Sequence, residues 1–165
     1  MGYGDPDDGA RLEVDAVIEY ERALSERLSV AVGDIRYLNP GTLPGYDYDY
    51  TEWTGRLTFD GRHRLFAAWT DDVFGSGARA FYFGAGTTFE LPAGLMLGLE
   101  TGRFDLRHAR DWGEAYQHAR VSLSGEIDAF TWQLAWHGTS SRARRAFYPS
   151  VVEPRVVLGL TYSMR

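Results

Sequence analysis

Apolar and polar residues alternate along most of this chain in segments of about ten residues. In the first, Leu12, Val14, Ala16, Ile18 and Tyr20 share one face and Glu13, Asp15, Glu19 and Glu21 lie opposite, which is the period of a strand. The alternation returns at Trp53, Gly55, Leu57 and Phe59, and again at Phe81 to Leu91, Leu95 to Gly102, Ala115 to Ser124, Phe130 to His137 and Arg155 to Met164. Two stretches are less regular. Between Leu28 and Leu38 the apolar side passes from Leu28, Val30 and Val32 to Ile35 and Tyr37, a phase slip at Gly33-Asp34 that predicts a β-bulge. In 63–70, Leu65, Phe66, Ala67, Ala68 and Trp69 run together and leave the face of that strand undecided. The pattern predicts about nine strands and no helix.

The connectors add a second pattern, because they alternate in length. Leu24-Ser25-Glu26, Asp60-Gly61-Arg62, Pro92-Ala93-Gly94 and Gly125-Glu126-Ile127-Asp128 are short, and Asp-Gly is a strong hairpin signal. The stretches 38–50, 71–79, 104–114 and 138–153 are long. An up-and-down antiparallel sheet with tight turns at one end and long loops at the other has this form, as transmembrane β-barrels do.

Period-two alternation alone suits either a soluble barrel with an apolar interior or a membrane barrel with an apolar exterior. Three features favour lipid. The polar face mixes carboxylates, arginines and small residues, with Glu52, Arg56, Glu90, Glu100, His118 and Arg120 as candidates to line a lumen and Gly84, Gly86 and Gly98 to make room in it. Aromatic residues of the apolar face, among them Tyr20, Trp53, Phe59, Trp69, Phe89, Trp136 and Tyr162, fall near strand ends, where interfacial girdles form. The asymmetry of the connectors is the third. The expected fold is all-β, an up-and-down antiparallel transmembrane β-barrel in the bacterial outer membrane.

Composition fits this picture. A chain of 165 residues, 44% hydrophobic and 15% aromatic, is one domain with ample apolar surface, so disorder is excluded. No apolar run approaches the roughly 18 residues of a membrane helix. Cysteine is absent, and the formal charge of −6 gives a nucleic-acid partner no bulk electrostatic support. All 17 basic residues are arginine, whose planar fork suits charge networks and phosphate contacts.

Parity of the strands gives a further expectation. The ninth strand follows a long loop and so ends on the short-turn side, whereas the first strand begins on the long-loop side. Residues 1–10 then read as the remnant of an outer loop, and three upstream strands, with a signal peptide, would complete a twelve-stranded barrel around the single domain 1–165.

Specific residues carry a family resemblance. Leu12-Glu13-Val14-Asp15, the loop Asn39-Pro40-Gly41 with Gly45-Tyr46-Asp47-Tyr48-Asp49-Tyr50-Thr51-Glu52-Trp53, and Phe89-Glu90-Leu91-Pro92-Ala93-Gly94-Leu95 occur in this order. With Tyr116 and the ending Val156 to Met164, they resemble the TorF-type porin family of proteobacteria over nearly the whole chain. The resemblance implies an outer-membrane location and passive or unassigned transport, and it carries no catalytic residues. Two departures stand out: the family's signal peptide and first strands are absent, and the chain ends Tyr162-Ser163-Met164-Arg165 and not on an aromatic residue.

Candidate chemistry is sparse. Trp136-His137-Gly138-Thr139-Ser140 invites comparison with barrel deacylases and outer-membrane phospholipases, since a histidine base beside a serine is the start of an acyl-transfer site. The spacing differs by one residue from the deacylase pattern and no orienting carboxylate is placed, so the chain is expected not to be an enzyme. An outer-membrane lipid hydrolase using His137 and Ser140, or a soluble ligand-binding β-barrel, are the alternative functions. His108 with His118, and Asp71 with Asp72, have no metal-site spacing, and neither metal nor cofactor is expected. Arg107, Arg110, Arg142, Arg144 and Arg145 form basic outer-loop clusters that would face lipopolysaccharide phosphates, opposite acidic Asp47, Asp49, Asp71 and Asp72. The expected partners are outer-membrane lipid and small solutes.

Overall fold

A computed structural model describes residues 12–43, 45, 47–106, 115–143 and 153–163. They form nine strands: β1 (Val14–Ala23), β2 (Leu28–Leu38), β3 (Tyr50–Phe59), β4 (His63–Thr70), β5 (Ala80–Leu91), β6 (Leu95–Asp105), β7 (Tyr116–Ile127), β8 (Phe130–Thr139) and β9 (Arg155–Tyr162). Every strand pairs antiparallel with the next, in the order β1 to β9, so the sheet is a single meander. No strand pairing between β1 and β9 closes it among the described residues, and both edge strands are exposed along their whole length. No helix among the described residues is long and apolar enough to cross a membrane, which says nothing about crossing by strands.

The expected strands and connectors are present, with two corrections. β7 continues through Gly125, Glu126 and Ile127, which shortens the fourth tight turn to Asp128-Ala129. The second is at Gly33-Asp34, where no bulge occurs: the pairing runs residue for residue from Val14↔Leu38 to Ala23↔Ser29 and from Leu28↔Phe59 to Tyr37↔Tyr50. Ile35 and Tyr37 therefore share a face with Glu52, and the slip in pattern reflects a change in what that face meets. Near the long loops Tyr37 stacks on Tyr50, ring centroids 4.5 Å apart, so this end of the polar face demands aromatic residues.

Register also settles β4. Arg64, Phe66, Ala68 and Thr70 join the polar face, and His63, Leu65, Ala67 and Trp69 the apolar one. The Asp-Gly turn fixes this register, with Asp60 and Gly61 both at positive φ, 52° and 65°.

Burial is inverted relative to a soluble protein. The apolar face is the exposed one: Ile18 is 72% exposed, Trp53 59%, Leu134 45% and Leu158 73%. The polar face is sheltered, with Ala31, Thr70, Ala80, Ser122 and Ala135 buried on it. Curvature explains the shelter. Side chains converge on the polar face and stand apart on the other: Arg56 on β3 reaches Glu19 and Glu21 on β1, two strands away, while the apolar residues opposite are open. The sheet is therefore curled, polar face inward.

One long loop reaches into this concavity. The short 3-10 turn Val73–Gly75 packs Val73 with Ala78, Ala80 and Leu106, against Phe74, Phe104 and Tyr116. This small cluster is the hydrophobic core of the described residues, and it lies at the long-loop end of the concave face.

At the opposite end, the β1–β2 and β3–β4 turns are tied by Arg27, which donates through Nε and Nη2 to Asp60 Oδ1 and Oδ2, each at 2.5 Å. This pair holds the Asp60 carboxyl below its usual range, by the hydrogen bond from Arg27 first. A depressed carboxylate contributes stability at neutral pH and loses it as pH falls through the lowered value. Melting temperature measured against pH should therefore fall at acid pH less steeply in Asp60→Asn than in the parent chain. Equal acid slopes would show that the pair contributes nothing, as exposed ion pairs often do.

Candidate functional site

The concave face divides into two zones. Toward the long loops it is aromatic: Phe66 stacks on Tyr82, ring centroids 5.6 Å apart, Tyr82 touches Phe104 at 6.2 Å, and Phe104 touches Tyr116 at 5.5 Å. Tyr50 meets Phe74 edge-on at 5.3 Å. These rings and the 3-10 turn Val73–Gly75 pack the long-loop end of the concavity. None of the six polar-face aromatics Tyr37, Tyr50, Phe66, Tyr82, Phe104 and Tyr116 is among the lumen candidates, because the period places a residue on a face without saying which rings on that face will meet.

The second zone is charged. On β1–β3, Arg56 Nη2 donates to Glu19 Oε1 at 2.7 Å and Glu21 Oε2 at 3.4 Å, across β2, where buried Ala31 leaves room. Ser29 Oγ also donates to Glu21, at 2.7 Å. Glu52 accepts from Tyr37 Oη at 3.3 Å. With Asp15, which like Glu52 sits beside Tyr37 toward the long loops, the polar face of β1–β3 carries four carboxylates against one arginine.

On β4–β9 the balance reverses. Register places Arg64, Gly86, Glu100, Arg120, His137 and Arg155 side by side on six consecutive strands. Arg64 Nη2 lies 4.0 Å from Glu100 Oε2, reaching over Gly86. Arg120 donates from Nη2 to Gln133 Oε1 on β8. Nε of both Arg64 and Arg120 is buried without a hydrogen-bond partner. One row thus holds three arginines against a single glutamate.

The six lumen candidates all occupy the polar face. Five lie within the concavity, His118 there sharing a hydrogen bond with Tyr82 Oη. Glu90 instead sits at the short-turn end, 67% exposed at its side chain and 2.9 Å from Arg62. Arg64, His137 and Arg155 belong to the same zone although none was a lumen candidate. For Arg64 the signal was available in the Asp-Gly turn, from which the pairing of β3 and β4 can be counted.

His137 and Ser140 are not brought together. Their odd separation sends the side chains to opposite faces, His137 beside Arg120 and Arg155, while Ser140 Oγ accepts from the Gln117 backbone N–H at 3.1 Å. No group of three or more metal-ligating side chains occurs among the described residues. Arg142 is exposed, and Arg107, Arg110, Arg144 and Arg145, with His108 and residues 1–10, lie outside the described residues.

The chain matches no family model, no curated protein and no solved structure.

Proposed function

We propose that this chain is an outer-membrane, porin-like β-barrel protein of the TorF type, whose concave polar face contacts small solutes passing through or binding within it. One observation carries the reading: the curled sheet exposes its apolar face and shelters its charged one. Water favours the reverse, since the exposed leucines, valines and isoleucines contribute stability only when removed from it. A hydrocarbon solvent removes them.

The distribution of aromatics supports the same reading. Trp53, Trp69, Phe81 and Trp136 lie toward the long loops and Phe59, Phe89, Phe130 and Tyr162 toward the tight turns, all exposed on the apolar face. Two such bands with Leu57, Leu65, Leu99, Leu134 and Leu158 between them match the girdles and apolar belt of a membrane-spanning barrel. In lipid the free edges of β1 and β9 need partners, so the reading requires further strands to close the barrel.

Planar-bilayer recording tests the proposal. The protein should give discrete current steps, and Arg120→Glu should move the reversal potential in a salt gradient toward cations. A chain that stays monomeric and folded in buffer without detergent, and adds no conductance, would favour a soluble ligand-binding barrel instead.

A further inference from the structure

The geometry points to a binding station for a small oxyanion, a carboxylate or a phosphate, built by Arg64 and Arg120 around Glu100 and extended by His137 and Arg155. The inference rests on the reading of the concave face as the solute-contacting interior, and it names the class of solute.

Charge is the first argument. The polar face is segregated, with Asp15, Glu19, Glu21 and Glu52 around Arg56 on β1–β3 and the arginine row on β4–β9. Arg56 is satisfied by two carboxylates, whereas in the arginine row Arg64 lies no closer than 4.0 Å to Glu100, and Arg120, paired in register with Glu100, donates to the neutral Gln133. His137 is paired with Arg120 on one side and Arg155 on the other, so the row of basic side chains continues to β9. A face of this sign, curled and partly withdrawn from water, attracts anions more strongly than the same charges on an open surface.

Donor inventory is the second. A guanidinium offers five N–H donors in a fixed fork suited to carboxylate and phosphate oxygens. Nε of both Arg64 and Arg120 is buried and unmatched, and buried donors in folded proteins are nearly always matched. Space is the third. Gly86 stands between Arg64 and Glu100, and a Cβ there would lie 3.6 Å from Arg64 Nη2, so its absence leaves the floor between the two charges open.

Glu100 then has a defined role. It is the internal counter-ion that an incoming oxyanion displaces, which keeps the station from holding its occupant too tightly for passage. Neutralising an arginine should weaken binding, and neutralising Glu100 should tighten it. A residue that only stabilised the fold would not produce these opposite signs.

The test is calorimetric titration of the full chain, folded in detergent micelles at pH 7, with inorganic phosphate and with succinate. Saturable binding of at least one is expected. Arg120→Gln or Arg64→Gln should weaken it about tenfold or more, the loss expected for a charged hydrogen bond. Glu100→Gln should tighten it, and Arg62→Gln at the rim should leave it unchanged. A preference for phosphate or for succinate identifies the occupant's chemistry. Absence of binding to both anions overturns the station, as does binding indifferent to Arg64 and Arg120 or weakened by Glu100→Gln. Bilayer currents separate the two readings: anion binding without conductance removes passage and keeps the station, whereas conductance without anion binding does the reverse. If an arginine variant fails to fold, the sign of the Glu100→Gln effect still decides.

Discussion

Leu134→Arg should destabilise the protein by about 2–4 kcal/mol when it is folded into lipid vesicles, the cost of an arginine at the bilayer midplane of a barrel. Were this face in water, the same substitution would be nearly silent, within about 0.5 kcal/mol, because it would fall on an exposed surface site away from any cap, core or ion pair. Leu134 is suited to the comparison. It is the middle of β8, 45% exposed on the apolar face, and paired with Leu123 and Leu158, which are themselves apolar. The cost measured in vesicles therefore reports the solvent facing Leu134. The measurement is a urea titration of tryptophan fluorescence in vesicles, with a polar-face substitution, Ser124→Thr, as the matched control. A cost in vesicles below about 1 kcal/mol would mean that this face does not lie in hydrocarbon.

Much of this architecture is legible in the sequence, and the reason is the period. A strand reports its two faces by alternation, and connectors report which strand ends meet, so the nine-strand meander and its tight turns follow from Leu12 to Met164 without tertiary information. The same logic places Glu52, Arg56, Glu100, His118 and Arg120 on one face. What alternation does not report is how residues on that face combine. Ile35, Tyr37 and Phe66 break the polar pattern because the concave face is itself two zones, aromatic beneath the long loops and charged beyond them. A bulge at Gly33 and a change of environment at Ile35 and Tyr37 leave the same trace in a hydropathy pattern, and only the continuous pairing of β2 with both neighbours separates them. Charge segregation was hidden for another reason. The row from Arg64 to Arg155 joins residues up to 91 positions apart, and only the pairings of five successive hairpins and loops bring them into line.

Gly84→Ala should destabilise the protein by about 1–3 kcal/mol, the usual cost of forcing a methyl group into a filled site. On propensity alone the sign would be opposite, because glycine in a strand interior is entropically unfavourable by roughly 0.5–1 kcal/mol relative to alanine. Gly84 pairs with Phe66 on one side and Gly102 on the other. A Cβ at position 84 would stand 2.5 Å from Phe66 Cε2, 2.6 Å from Cζ and 2.9 Å from the Thr101 carbonyl oxygen. Gly102 is confined in the same way, with a Cβ there 2.7 Å from His118 Nε2. The two glycines thus form the floor on which Phe66 and the Tyr82–His118 pair lie, and they let a concave face hold rings that its curvature would otherwise exclude. Two residues along the same strand, Gly86 would place its Cβ no closer than 3.4 Å to any neighbour. Gly86→Ala should therefore be neutral or stabilising. Phe66→Leu should recover much of the loss in Gly84→Ala, giving a favourable coupling of about 0.5–3 kcal/mol in a double-mutant cycle. Equal stabilities of Gly84→Ala and Gly86→Ala in urea unfolding would remove the aromatic floor from the account, and Phe66 would then owe its place on the polar face to the register of the Asp-Gly turn alone.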